Sequence, residues 1–194
     1  MMGTSKHDNP AFSIAPLSLG NLLSALELVN RVFPRSAQGR ERADLFFTAS
    51  LLPPGRWLIR LIGYPVVLYW VAVDRESRKV IGTVGLYAMS SDPEAYWGGW
   101  MCVDPKDRSR GIGFALMRHA IVQIQRRNDR KFVRLYTSTD PNEAKAQLLY
   151  DSVGLTVYKT EDDPKTGFQR LYRQCELAKI QLRPEPGVGG EARP

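Results

Sequence analysis

Cysteine is almost missing from this sequence of 194 residues. Cys102 and Cys175 are the two present, far apart, each in a stretch that reads as a strand. That spacing gives no disulfide framework and no metal-ligand pattern, so no metal is expected. It suits a reducing compartment, and a cytoplasmic location is the expectation. Long apolar runs are lacking too. The most apolar stretch, Leu58–Val73, is broken by Arg60 and Pro65. It is shorter than the ~20 residues of a membrane-spanning helix and reads as core, so no membrane partner is expected. The opening residues Met1–Asp8 are too polar for a secretory signal. There is no internal repeat. No glycine-rich loop ends in the Gly-Lys-Ser/Thr of a Walker phosphate loop.

What is present is the composition of one folded domain: 43% hydrophobic and 24% charged residues. The formal net charge is +7, which favours an anionic partner such as nucleic acid, a membrane surface or a phosphorylated cofactor. The excess gathers in one place. Between Asp104 and Arg134 stand Lys106, Arg108, Arg110, Arg118, Arg126, Arg127, Arg130, Lys131 and Arg134, against Asp104, Asp107 and Asp129.

The apolar pattern changes period along the chain. Phe12–Leu17 reads as a strand. Leu22, Leu23, Leu26, Val29 and Val32 or Phe33 follow at helical spacing after the cap Ser18. Arg40–Leu51 looks helical and is broken by Pro53-Pro54-Gly55. Val66–Val73 and Val80–Ala88 form a predicted hairpin, and Ala95–Val103 a third strand after the turn Ser90–Pro93. Gly98 and Gly99 inside that strand suggest a bulge or a close approach by another group. Gly111–Arg127 is a helix and Phe132–Thr137 a strand. Asp140, Pro141 and Glu143 mark a helix start, and Gly154 its end. Leu155–Thr160 and Phe168–Cys175 are two last strands. The order predicts an α+β (mixed α/β) fold, a central mixed twisted sheet with helices on its faces.

The segment with chemical content runs from Val103 to Met117. A strand ends, a basic loop follows, and Gly111 and Gly113 open a helix. Unpaired N–H groups at a helix start bind anions, and glycine lets a phosphate approach the backbone. Arginines alongside add charge. A pyrophosphate is therefore expected at Arg108–Phe114. A dinucleotide fingerprint would need a third glycine and a downstream acid.

Arg108-x-x-Gly111-x-Gly113, preceded by Val103-Asp104-Pro105, resembles the signature of the GCN5-related N-acetyltransferase (GNAT) family. Ala146-x-x-Leu149-Tyr150-x-x-x-Gly154-Leu155 is similar to a second block of that family, and the resemblance spans roughly residues 66–175. It implies an acyl-CoA N-acyltransferase fold over residues 11–180; residues 1–10 and the Pro- and Gly-rich tail 181–194 read as disordered from their own composition. It also implies acetyl-CoA as co-substrate and transfer of the acetyl group to a primary amine by direct attack. The implied cofactor-binding residues are Met101, Cys102 and Val103 on the strand, Arg108, Ser109, Arg110, Gly111, Ile112, Gly113 and Phe114 at the helix start, and Asn142 and Tyr150. Tyr150 resembles the acid that meets the departing thiolate. The sequence departs from the family in two places. Glu143 stands where the family often has Asn, with Asn142 one place earlier. Trp97–Val103 contains no acid, so the resemblance carries over no base; Asp92 and Glu94 just before it are the candidates. Cys102 is expected to pack rather than to act as a nucleophile.

The acceptor is a small-molecule amine, a peptide N-terminus, a protein lysine or a small antibiotic. Residues 35–64 and the acidic turn Glu161–Gly167 are expected to line its pocket, and a homodimer is left open. Two alternatives stand beside the enzyme: an acyl-CoA-binding sensor of the same fold, and a basic nucleic-acid-binding module. The latter lacks a recognition helix or an aromatic RNA-binding signature, so no nucleic-acid partner is expected.

Overall fold

The computed structural model describes residues 11–33 and 42–180. The expectations for residues 1–10, 34–41 and 181–194 lie outside the described residues. Strands are β1 (Phe12–Pro16), β2 (Val66–Asp74), β3 (Val80–Met89), β4 (Asp92–Val103), β5 (Phe132–Ser138), β6 (Thr156–Asp162) and β7 (Gln169–Glu176). Helices are α1 (Leu19–Val32), α2 (Ala43–Leu51), α3 (Pro53–Leu61), α4 (Ile112–Arg127) and α5 (Ala144–Ser152). The strands form one sheet in the order β1-β2-β3-β4-β5-β7-β6. β4 and β5 are parallel and the other neighbours antiparallel, as a strand–helix–strand crossover through α4 requires. The mixed sheet with helices on both faces is the expected fold.

Each face has its own core. On one, α4 buries Ile112, Leu116, Met117, Ala120, Ile121 and Ile124, a stripe at helical period, against Val84 and Leu86 of β3 and Val133 and Leu135 of β5. On the other, Ala25, Leu28 and Val29 of α1 and Phe46 and Phe47 of α2 pack on Tyr69, Val71 and Cys102. We call these the α4 face and the α1 face.

Three local readings differ from the sequence-based ones. Leu23 is exposed, so the buried stripe of α1 runs through Ala25, Leu28 and Val29 instead. The helix before Pro53 ends at Leu51 as expected, but Pro53 and Pro54 also open a further helix, α3, where proline lacks no needed N–H. The apolar run after them is only partly core: Ile59 is buried, but Leu58, Leu61 and Ile62 face solvent.

The joint between β4 and β5 positions the site. Their pairing covers only Ala95–Trp97 against Phe132–Arg134. Beyond it the strands diverge, leaving a slot through the sheet between Gly98–Val103 and Leu135–Ser138. A β-bulge lies on the other edge of β4. Thr83 pairs with Cys102 and Gly85 with Gly99, so Trp100 and Met101 together oppose Val84. Trp100 takes a left-handed conformation there, φ 53°. Gly99 is needed beside it, because a Cβ would come within 2.9 Å of the Tyr87 ring. The bulge directs the Trp100 side chain to the α1 face and that of Met101 to the α4 face.

Candidate active site

A cavity of about 1010 Å³ occupies the slot and opens on both faces. On the α4 face its wall is the loop after β4 and the first turn of α4. Asp104 anchors that loop: its carboxylate accepts the Lys106 N–H at 3.1 Å and pairs with Arg31 of α1. Ser109 and Gly111 take left-handed backbone, φ 67° and 75°, which turns the chain into the helix. No side chain caps α4, and its first turn holds no acid. The N–H groups of Ile112, Gly113 and Phe114 therefore have no intrahelical partner and meet the cavity beside the positive end of a 16-residue helix.

The expected cofactor residues mostly converge here. Met101, Cys102, Val103, Arg108, Ser109, Gly111, Ile112, Gly113, Phe114, Asn142 and Tyr150 all line the cavity. Arg110 does not. It is drawn away by Asp107 and, at 3.9 Å, by Asp74 at the end of β2. Two more members of the basic cluster are engaged within the protein: Arg127 pairs with Asp129 at 3.3 Å and Arg134 with Asp92 at 2.6 Å. Cys102 is buried beside the Thr83 hydroxyl, 3.3 Å away, and burial pushes its thiol up to about 11. At neutral pH it is a packed thiol, not a thiolate.

Glu94 is not brought to the cavity. Asp92 and Pro93 belong to β4 rather than to a turn, and the long strand holds Glu94 roughly 20 Å before Met101. Asp92 is also away from the cavity, held by Arg134 and by the Trp97 indole N–H at 2.8 Å. Neither is placed to take a proton from an amine in the slot.

Tyr150 of α5 is buried, and its hydroxyl has no hydrogen-bond partner among the described residues. Burial, followed by the nearby charge of Glu143, pushes it up to about 12, against the opposing pull of Arg173. The phenol therefore keeps its proton at any physiological pH. Glu143 itself accepts the Thr137 hydroxyl, the Ser138 N–H at 2.9 Å and the Ser138 hydroxyl at 3.0 Å. It ties the end of β5 to the start of α5 and so holds one side of the slot. In the sequence Glu143 reads as part of a helix start and as a departure from Asn; its link to Thr137, six residues back on a strand, is a contact of the fold.

On the α1 face the wall changes character. Val32 and Phe33 at the end of α1, Tyr87, Trp100, Tyr136 and Phe168 line that mouth. Its charged residues, Asp163 and Arg170, pair with each other at 3.2 Å. Among the described residues no cluster of His, Cys, Asp and Glu is disposed to hold a metal, and no helix is long and apolar enough to cross a membrane.

Residues 65–156 match the profile of the acetyltransferase (GNAT) domain. No curated protein sequence matches the chain. Among solved structures, a GNAT-family protein of Desulfovibrio desulfuricans aligns with TM-score 0.69 and 16% identity, over 86% of this chain and 99% of its own. Arabidopsis thaliana NAA60, solved with a bisubstrate analogue, gives TM-score 0.64 and 16% identity over 85% and 97%. The ribosomal-protein-S18-alanine N-acetyltransferase of Escherichia coli gives 0.61 and 17% over 90% and 97%. At such identities the likeness is one of fold.

Proposed function

We propose, from the premise that residues 65–156 are an acetyltransferase (GNAT) domain and the chain an N-acetyltransferase, that acetyl-CoA binds on the α4 face and an amine attacks it through the slot. The observation that carries this reading is the uncapped start of α4 opening into a cavity that crosses the sheet. The N–H groups of Ile112–Phe114 and the Arg108 guanidinium take the pyrophosphate. A Cβ at Gly113 would stand at ordinary contact distance, 3.5–3.7 Å, from side chains of Leu149, Met101 and Val103, and glycine leaves that space to the ligand. The pantetheine arm runs along the open edge of β4, where main-chain groups of Met101 and Val103 serve it, with Asn142 at the opposite wall.

The thioester then lies in the slot. The neutral amine nitrogen adds to its carbonyl carbon, the C–N bond forms, and the C–S bond breaks with CoA leaving as thiolate. A β4 N–H beside the bulge stabilises the oxyanion. The amine proton passes to water at the open mouth. Tyr150 faces the departing sulfur. A thiol ionises near 8.5, so complete transfer of a proton from a phenol of about 12 to thiolate is uphill by ~5 kcal/mol. Tyr150 therefore acts as a hydrogen-bond donor while charge develops on sulfur, and water completes the protonation.

The test is calorimetric titration with acetyl-CoA, CoA and duplex DNA, followed by release of free CoA thiol with a panel of amines. Acetyl-CoA binding with amine-dependent thiol release is expected. Binding without release in any amine would favour a sensor, and salt-sensitive DNA binding without acetyl-CoA binding would favour a nucleic-acid module.

A further inference from the structure

We infer that the acceptor is a monoamine carried on an aromatic or apolar group, and not a polycation, taken by the ring-lined mouth on the α1 face. This rests on the preceding reading, since it names the substrate of the same slot. The rings, Phe33, Tyr87, Trp100, Tyr136 and Phe168, come from five separate parts of the fold, and four of them rest against another ring. Phe33 meets Trp100 edge-on at 5.9 Å, Tyr87 meets Tyr64 edge-on at 5.6 Å, and Tyr136 leans on Tyr172 at 6.3 Å. Rings held this way lose little freedom on binding and offer apolar area with preferred edge and face contacts. Tyr136 is about half exposed (51%), so part of that area faces solvent.

The charges of the mouth point the same way. A polycation needs carboxylates left over for it. Asp163 is held by Arg170 at 3.2 Å and by the Lys165 N–H at 3.0 Å. Arg170 also lies over the Tyr136 ring, 5.2 Å from its centre. Farther along the turn, Glu161 takes Lys159 at 2.5 Å and the Tyr172 hydroxyl at 2.7 Å, and Asp162 takes the Gln169 amide at 3.0 Å. Two of the three carboxylates of the turn that reads as an acidic lure in the sequence are thus paired with cations of its own strands, and Asp162 is held by a neutral amide. The chain as a whole is +7, which opposes the approach of a second and third ammonium.

The same mouth answers the missing base. An ammonium entering an apolar, ring-lined passage is desolvated, and desolvation lowers its pKa. The rings attract the cation at the rim by about 0.5–1 kcal/mol, and the deeper slot releases it as the neutral amine that attacks. A single ammonium can lose its charge this way; a polyamine would leave further charges stranded on an uncompensated surface.

The experiment is thiol release from acetyl-CoA with phenethylamine, spermidine and kanamycin as acceptors, on the full chain, with acetyl-CoA affinity measured alongside. Phenethylamine is expected to show kcat/KM at least about tenfold above both polycations. Phe33→Leu, which keeps apolar bulk but removes the ring, and Tyr136→Ser should each lower that kcat/KM by up to about tenfold, the scale of one ring contact. Acetyl-CoA affinity should stay unchanged in both. Spermidine or kanamycin equal to or better than phenethylamine overturns the inference, as does acetyl-CoA binding with phenethylamine refused. Loss of ring preference from neither variant overturns it too. Absence of acetyl-CoA binding in the parent would instead overturn the reading on which it rests.

Discussion

The two mouths of the slot are built from different parts of the polypeptide. On the α4 face the contacts offered to a ligand are chiefly main-chain: the N–H groups at a helix start and the open edge of a bulged strand, joined by the side chains of Arg108, Asn142, Lys145 and Tyr150. On the α1 face they are side-chain rings and a self-paired Asp163–Arg170 couple. Main-chain groups are the same whatever the sequence, so that face suits a ligand that does not change. Rings can be exchanged one at a time, so the other suits a ligand that differs from protein to protein. The division also explains why a basic protein can use so little of its charge at the site: Arg108 lines the cavity, while Arg110, Arg127 and Arg134 are held by Asp107, Asp129 and Asp92.

Substitutions on one side should leave the other intact. The largest effect is expected from Gly113→Leu. A Cβ there makes ordinary contacts with Leu149, Met101 and Val103, and the further carbons of leucine enter the cavity those side chains line, across the approach to the α4 N–H groups. Acetyl-CoA affinity should fall roughly a hundredfold or more, the scale of two hydrogen bonds to a charged group. Calorimetry checks this, with thermal melting as the control for folding.

Tyr150→Phe should lower kcat by about a hundredfold, the scale of one donor to developing charge, and leave acetyl-CoA affinity alone, because the lost bond belongs to the transition state. Its pH dependence sharpens the point. The hydroxyl is raised from an ordinary value near 10 to about 12, so it stays protonated through the whole working range. No alkaline loss of activity from Tyr150 is expected below pH 11. The stabilisation tied to the raised value is full below pH 10 and is lost as pH rises toward 12. A rate profile and an alkaline melting series read the two separately.

Arg108→Ala comes next. It should weaken acetyl-CoA binding by about 1–3 kcal/mol and leave the amine KM unchanged. Arg110→Ala, its neighbour two residues on, should do far less, since Asp107 and Asp74 hold that side chain away. Equal losses at the two positions would mean that net charge rather than placement binds the anion. The smallest effect is expected at Cys102, where Cys102→Ala should leave turnover within about twofold. In the folded parent its thiol, near 11 and buried, should resist iodoacetamide at pH 8.

How much of this was legible differs between the two mouths for the same physical reason. The α4 mouth is local. Val103 to Phe114 is one continuous segment, and glycines opening a helix after a strand announce an anion site without knowledge of the fold. Most of the residues expected there do line the cavity. Arg110 fails because Asp107, three residues earlier, takes its guanidinium, with Asp74 at the β2 end adding a contact at 3.9 Å that no local pattern carries. The α1 mouth is non-local. Phe33, Tyr87, Trp100, Tyr136 and Phe168 come from separate elements. Each reads singly as a core aromatic. Glu94 fails through a boundary: Asp92-Pro93 reads as a turn, yet both residues extend β4, and the added length moves the carboxylate to the far end of the strand. The glycine pair was informative, since the bulge it marks sits where the slot opens.

The claim that acetyl-CoA lies on the α4 face of the split sheet is tested most directly by amide hydrogen exchange with and without acetyl-CoA. The account predicts slowed exchange at Trp100–Val103, Gly111–Phe114 and Leu149–Tyr150, with Asp163–Arg170 unchanged. Protection confined to Asp163–Arg170 and the end of α1, with the start of α4 exchanging as before, would contradict it.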